Sequence, residues 1–147
     1  MFIPDLAPYR YDLPEALESV LAVGWLSKER PIPIGQCPEE ISKKLEHLIL
    51  RERVNQMRGT HHCEFCGENE IRLQVAGRSL LLGSAEVWVP DNSAKVVFAA
   101  PNLILHYILN HKYSPPESFI EAVRGFREES TWSGQALYEK LSRDAYI

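Results

Sequence analysis

The stretch that decides most about this fold is Arg58-Gly59-Thr60-His61-His62-Cys63-Glu64-Phe65-Cys66-Gly67. A Cys-x-x-Cys turn supplies two thiolates on one tight loop, and backbone amides of the turn can donate hydrogen bonds to the sulfurs. Gly67 permits the left-handed backbone that such a loop often needs. Zinc prefers a tetrahedral shell of thiolate and imidazole ligands. The stretch therefore predicts a structural zinc site that includes Cys63 and Cys66.

Two more ligands are needed, and the histidines supply the candidates. His61 lies two residues before Cys63, and in an extended chain both side chains point the same way. His106 lies in an otherwise apolar helix, where a buried imidazole needs a partner such as a metal ion. His111 follows five residues later, and on a continuous helix the two rings diverge by roughly 140°. Both can bind one ion only if the helix ends near Asn110. The predicted ligands are Cys63, Cys66, His106 and His61, with His111 as the alternative to His61.

Other interpretations of these residues stay open. A Cys-x-x-Cys pair can be a redox pair, although this one does not follow a first strand and open a helix as in thioredoxin-like folds. It can also be two unlinked thiols, and His106 can be a core histidine without a metal. The chain has three cysteines, an odd number that does not suit a disulfide framework. Cys37 has no partner at metal-binding spacing.

Helices are predicted on both sides of the cysteine segment. A short helix is expected over 14–23, where Pro14 suits a first helical position and Gly24 can end it. The clearest helix begins at Pro38, because its apolar residues repeat at i, i+4, i+7 and i+8. They are Ile41, Leu45, Leu48 and Ile49.

The segment after the cysteines alternates as strands do. Strands are predicted at 71–75, 80–82, 85–89 and 95–99. The second and third are either two short strands or one strand that is kinked at Gly83. We expect a helix of about ten residues from Pro101, since it is apolar on nearly every side and so buried. The next helix should begin at a capping box in Ser114-Pro115-Pro116-Glu117, and the last should cover 133–143.

These elements predict an α+β fold with a small antiparallel sheet of three to four strands, a zinc knuckle and about five helices. The length of 147 residues fits one domain over 1–147. We expect residues 1–23 to form its N-terminal arm and short helix, and residues 128–147 its C-terminal helix.

Composition restricts the classes of function. The net charge is -4 and the pI is about 5.7, which argues against a nucleic-acid surface. No apolar run reaches the length of a membrane span, and the N-terminus has no basic region of the kind that begins a signal peptide. We therefore expect a cytoplasmic protein that does not enter a membrane.

Four segments together resemble a family of small bacterial proteins described as a domain of unknown function. The likeness covers about Gly24 to Arg124, and it implies a shared fold and a shared metal site without an activity. The matching segments are 58–66 (RGTHHCEFC), 82–90 (LGSAEVWVP), 99–108 (AAPNLILHYI, continuing to His111, Tyr113, Pro115 and Pro116) and 119–123 (FIEAV).

Two classes of function follow. The first is a zinc-stabilised binding or regulatory module whose partner is another protein, for example an immunity-type protein that occludes a toxin. Trp88, Tyr107 and Tyr113 are the candidates for its contact surface, although core packing is the favoured role for these side chains.

The second is a zinc hydrolase or deaminase, with Glu86 as the proton-handling carboxylate and His111 or Tyr113 as helpers. The chain lacks H-E-x-x-H and the order of the zinc deaminase signature. The number of protein ligands distinguishes the two classes, because an enzyme requires an open position on the ion.

Overall fold

The computed structural model describes residues 2–9, 17–68, 70–75, 77–93 and 95–144. The α+β class is confirmed: this part of the chain contains four helices and six strands. In chain order they are β1 (Pro8–Tyr9), β2 (Leu17–Ala22), α1 (Glu39–Arg51), β3 (Ile71–Val75), β4 (Arg78–Leu82), β5 (Glu86–Pro90), β6 (Val97–Pro101), α2 (Ile104–His111), α3 (Glu117–Gly125) and α4 (Gly134–Asp144).

The strands form two sheets rather than the single antiparallel sheet that was predicted. Four strands lie in the order β1-β2-β6-β5, in which β2 and β6 are parallel and the other pairs antiparallel. Strands β3 and β4 form a separate hairpin, in register from Ile71 opposite Leu82. The alternation of side chains identifies a strand but not its neighbour, since any strand with one buried face satisfies the same pattern.

The predicted helix over 14–23 is wrong where the structure describes it, because Leu17–Ala22 is strand β2. Residues 14–16 lie outside the described part of the chain. Val20 and Ala22 are buried against the parallel neighbour β6, and this pairing overrides a weak local helix preference. Gly24 ends the strand with φ +79°, and its amide donates to Asp5 Oδ1 at 3.0 Å.

The four-stranded sheet lies between two layers. Val87 and Val89 face α1, α2 and α3, in a core that also contains Cys63. Trp88 and Ala99 face the opposite way, where Leu137, Tyr138 and Leu141 of α4 cover them. The cysteine loop and α4 therefore lie on opposite faces of the sheet.

The other helices agree closely with prediction, apart from one cap. Helix α1 buries Ile41, Leu45, Leu48 and Ile49 as expected. Pro116 caps α3 without a side-chain hydrogen bond, so the predicted capping box at Ser114 is wrong. Ser114 lies too far from the helix start and instead donates its amide to the carbonyl of Pro33. Within the described ranges, no helix is long and apolar enough to span a membrane.

Candidate metal centre

Four side chains converge at one point beside α2. The ligand atoms of Cys63, Cys66, His106 and His111 all lie within 4.8 Å of one another. Cys63 Sγ is 3.3 Å from His111 Nε2, Cys66 Sγ is 3.5 Å from His106 Nε2, and the two Nε2 atoms are 3.2 Å apart.

These distances are those of a tetrahedral shell. Metal–sulfur bonds of about 2.3 Å and metal–nitrogen bonds of about 2.0–2.1 Å place two nitrogens about 3.3 Å apart, and a nitrogen and a sulfur about 3.6 Å apart. The three measured edges lie within a few tenths of an ångström of these values. The Cys2His2 group thus has the composition and spacing to bind a metal ion.

The cysteine loop, Cys63 to Gly67, is a tight turn that points the Cys63 sulfur inward. The amide of Gly67 donates to the carbonyl of Cys63 at 3.1 Å, and Gly67 adopts φ +68°. The backbone amides of Phe65 and Cys66 donate hydrogen bonds to the Cys63 sulfur. Such amide bonds favour a thiolate and orient it toward a cation.

The last turn of α2 explains how two histidines five residues apart meet. The amide of Lys112 donates to the carbonyl of Tyr107, five residues earlier, and the amide of Tyr113 reaches the same carbonyl at 3.1 Å. This turn is wider than an α-helical turn, and Lys112 is left-handed with φ +55°. The widening returns His111 to the side of the helix that carries His106, with ring centroids 5.0 Å apart.

A bend at Gly83 ties the cysteine segment to the start of α2. Gly83 accepts a hydrogen bond from the amide of His61 at 2.8 Å, and its own amide donates to Asn102 Oδ1 at 2.7 Å. Its φ is +104°, and a Cβ there would lie 2.3 Å from the carbonyl oxygen of His61. Only glycine permits this approach. Phe65 adds a ring contact with Tyr107, with centroids 5.8 Å apart.

The protonation states of the cluster depend on burial. Burial raises the pKa of the Cys63 thiol, and the amides of Cys66 and Phe65 oppose this rise. Burial also lowers the pKa of His106, and the nearby His111 lowers it further. His106 is thereby kept in the neutral form that binds metals, whereas a buried Cys63 thiolate needs a cation for full stabilisation.

The structure brings together three of the four first-ranked ligands together with the alternative, His111. His61 is exposed and does not belong to the group of convergent ligand atoms. The backbone of His61 is instead paired with Gly83. The sequence prediction expected His61 and Cys63 to point the same way, but the ligand group of the structure contains Cys63 and His111 and does not include His61.

Glu86, the proposed catalytic carboxylate, lies elsewhere. It is 1% exposed and faces the Trp88 side of the sheet, opposite the face that contains Cys63. Its carboxylate accepts hydrogen bonds from Tyr9 Oη at 2.8 Å, Asn55 Nδ2 at 2.9 Å and Trp88 Nε1 at 2.8 Å. The side chain has the contacts of a buried structural acid.

Sequence reasoning missed Asn102, which is 1% exposed and links Gly83 to α2. A polar residue inside the apolar run from Val97 to Leu109 was the available signal, since a buried amide needs hydrogen-bond partners. Trp88, Tyr107 and Tyr113 are all buried, so the core-packing interpretation of these aromatic residues is correct.

The molecule is thus an α+β protein with a Cys2His2 candidate metal centre. Residues 1–124 match the family described as "Domain of unknown function (DUF7919)", and the chain belongs to this family. The match begins at residue 1, whereas the resemblance was expected to cover about Gly24 to Arg124. No curated protein matches the chain. No solved structure matches it either.

Proposed function

We propose that Cys63, Cys66, His106 and His111 bind one structural zinc ion. Two thiolates and two imidazoles in a tetrahedral arrangement are a preferred donor set for Zn²⁺, whereas Mg²⁺ and Ca²⁺ require oxygen ligands. The zinc ion would join the cysteine loop to the C-terminal end of α2. It would also stabilise the thiolate of Cys63, which burial otherwise disfavours.

Four protein ligands favour a structural over a catalytic role, and this is the observation that carries the proposal. A catalytic zinc ion keeps one position open for water or substrate, while this cluster offers a fourth side chain. An enzyme would also need a carboxylate near the open position. Glu86, the acid suggested for that role, faces away on the other side of the sheet.

We propose further that the protein is a non-enzymatic binding or regulatory module in the cytoplasm, with another protein as its partner. An immunity-type protein is one such module. Among described residues, the large exposed apolar side chains are Leu6, Ile34 and Leu109. Ile34 and Leu109 line one open depression of about 680 Å³ on the outer side of α2, which makes it the favoured contact area now that Trp88, Tyr107 and Tyr113 are buried.

Metal analysis of the purified protein tests the site. We expect one zinc per chain in the wild type and loss of zinc in a Cys63→Ser, Cys66→Ser variant. X-ray absorption of the zinc-loaded protein should count two sulfur and two nitrogen neighbours. A shell with a water oxygen in place of one histidine would support the enzymatic alternative.

Affinity capture from cells that produce the protein tests the partner. The wild type should retain a specific protein that an Ile34→Asp, Leu109→Asp variant loses while keeping its zinc. Equal capture by both proteins would reject this contact area.

A further inference from the structure

The two sulfurs of the candidate metal centre differ in their access to solvent. Cys63 is 1% exposed, because the hairpin β3–β4 and α2 pack around it. Cys66 is exposed. A small reagent in solution therefore meets the sulfur of Cys66 first.

The thiol of Cys63 lies next to the exposed thiol of Cys66. The Sγ atoms of Cys63 and Cys66 belong to one group of ligand atoms within 4.8 Å of one another, and the two residues share a single turn. Cys37, the remaining cysteine, is half-buried and outside this group. Cys63 is therefore the thiol placed to react with an oxidised Cys66.

We infer that this centre is a reversible oxidation site for a small neutral hydroperoxide, an inference that rests on the proposed zinc site. The Cys66 thiolate attacks the terminal peroxide oxygen, the O–O bond breaks, and Cys66 becomes a sulfenic acid; the leaving group is hydroxide from hydrogen peroxide or the alkoxide from an organic hydroperoxide. The Cys63 thiolate then attacks the Cys66 sulfur, forms a disulfide and expels the sulfenic oxygen as hydroxide. Two sulfurs lose two electrons, the peroxide gains them, and the zinc ion keeps its oxidation state.

Disulfide formation removes half of the zinc shell. A disulfide sulfur is a poor ligand because the thiolate is the metal-binding form, so only His106 and His111 remain. Zinc leaves, and the loop from Cys63 to Cys66 loses its link to α2. Among the described residues, the ring contacts of Phe65 with Tyr107 and His111 would then still hold the loop against the helix.

The charge around the loop favours a neutral oxidant. Glu64 lies inside the cysteine turn, directly after Cys63, and its side chain is exposed. Glu68 follows Cys66 by two residues and is exposed as well. Negative charge at both positions should repel an anionic oxidant such as glutathione disulfide, while hydrogen peroxide is unaffected.

The test treats the zinc-loaded full chain with hydrogen peroxide in the presence of a chromogenic zinc chelator. We expect release of one zinc per chain and a Cys63–Cys66 disulfide by peptide mass spectrometry. Cys37→Ser should behave as the wild type. For Cys66→His, which replaces the exposed thiol by an imidazole, the peroxide-dependent zinc release, measured against the same variant without peroxide, should be at least about tenfold slower.

Reversal is a measurement that does not depend on any variant. Addition of a dithiol and zinc to the oxidised wild type should restore the reduced pair and the bound metal. Glutathione disulfide at the same concentration should act more slowly than peroxide; equal rates would reject the neutral-oxidant assignment.

Three results would overturn the inference and leave the zinc site intact: a wild-type protein that keeps its zinc in peroxide, a disulfide to Cys37, or release from Cys66→His at the wild-type rate. A reduced wild type that contains no stoichiometric zinc would instead reject the proposed function itself.

Discussion

Replacement of His111 by glutamine, compared with the same replacement of His61, separates the two candidates for the fourth ligand. His111 Nε2 lies 3.3 Å from Cys63 Sγ and 3.2 Å from His106 Nε2. His61 is exposed, and its backbone is paired with Gly83. His111→Gln should therefore weaken zinc binding, while His61→Gln keeps the backbone pairing and should leave it unchanged.

The size of the effect follows from the ligand count. Structural zinc binding in small domains is worth about 10–16 kcal/mol at neutral pH. Shared over the four ligands of this cluster, one ligand accounts for about 2.5–4 kcal/mol. That free energy corresponds to a loss of about 10²- to 10³-fold in zinc affinity for His111→Gln.

Competition with a fluorescent zinc chelator at pH 7.4 measures both affinities under the same conditions. Cobalt substitution adds a check, because the visible spectrum of Co²⁺ reports tetrahedral coordination with thiolates. The reasoning is refuted if His61→Gln loses as much affinity as His111→Gln, or if His111→Gln binds zinc as tightly as the wild type.

Three further predictions concern stability. Gly83→Ala should lower the free energy of unfolding by about 2–4 kcal/mol in urea titrations, because φ +104° and the 2.3 Å approach to the His61 carbonyl exclude a Cβ; a change below 1 kcal/mol, roughly, would contradict this. Glu86→Ala should lower the free energy of unfolding by about 3–5 kcal/mol, since it leaves the donors of Tyr9, Asn55 and Trp88 buried without their acceptor. The variant should still bind one zinc ion. Loss of zinc would show that the two faces of the sheet are coupled. Burial lowers the pKa of His106 below its ordinary 6.5, so the unfolded chain takes up a proton more readily than the metal-free folded protein. The free energy of unfolding of the metal-free protein should therefore fall as the pH drops below about 6.5. His106→Gln should flatten this pH dependence, and an unchanged slope in the variant would contradict the prediction.

Local sequence pattern was sufficient to predict those features that depend on a single helix face or a single turn. The stripe from Ile41 to Ile49 defined α1, since a helix that buries one face must repeat its apolar residues at helical spacing. The spacing of Cys63 and Cys66 was enough to predict that their sulfurs meet, because a Cys-x-x-Cys turn brings both sulfurs to one point. The apolar surroundings of His106 identified it as a member of the same group.

Pattern failed where the outcome depended on a distant neighbour. Residues 17–22 have an apolar pattern that suits either a helix or a strand, and the parallel pairing with β6 decides for the strand. The separation of β3–β4 from the main sheet likewise depends on the bend at Gly83, which directs β5 toward β6.

The fold class, most of the helices and three of the four convergent side chains follow from the residue pattern. The fourth side chain depends on tertiary contacts. An ideal helix separates His106 from His111, and a wide final turn closed on the carbonyl of Tyr107 brings them together. In the structure His61 lies outside the group of ligand atoms, and Glu86 lies on the opposite face of the sheet. These choices depend on contacts between residues far apart in the chain, which no local spacing encodes.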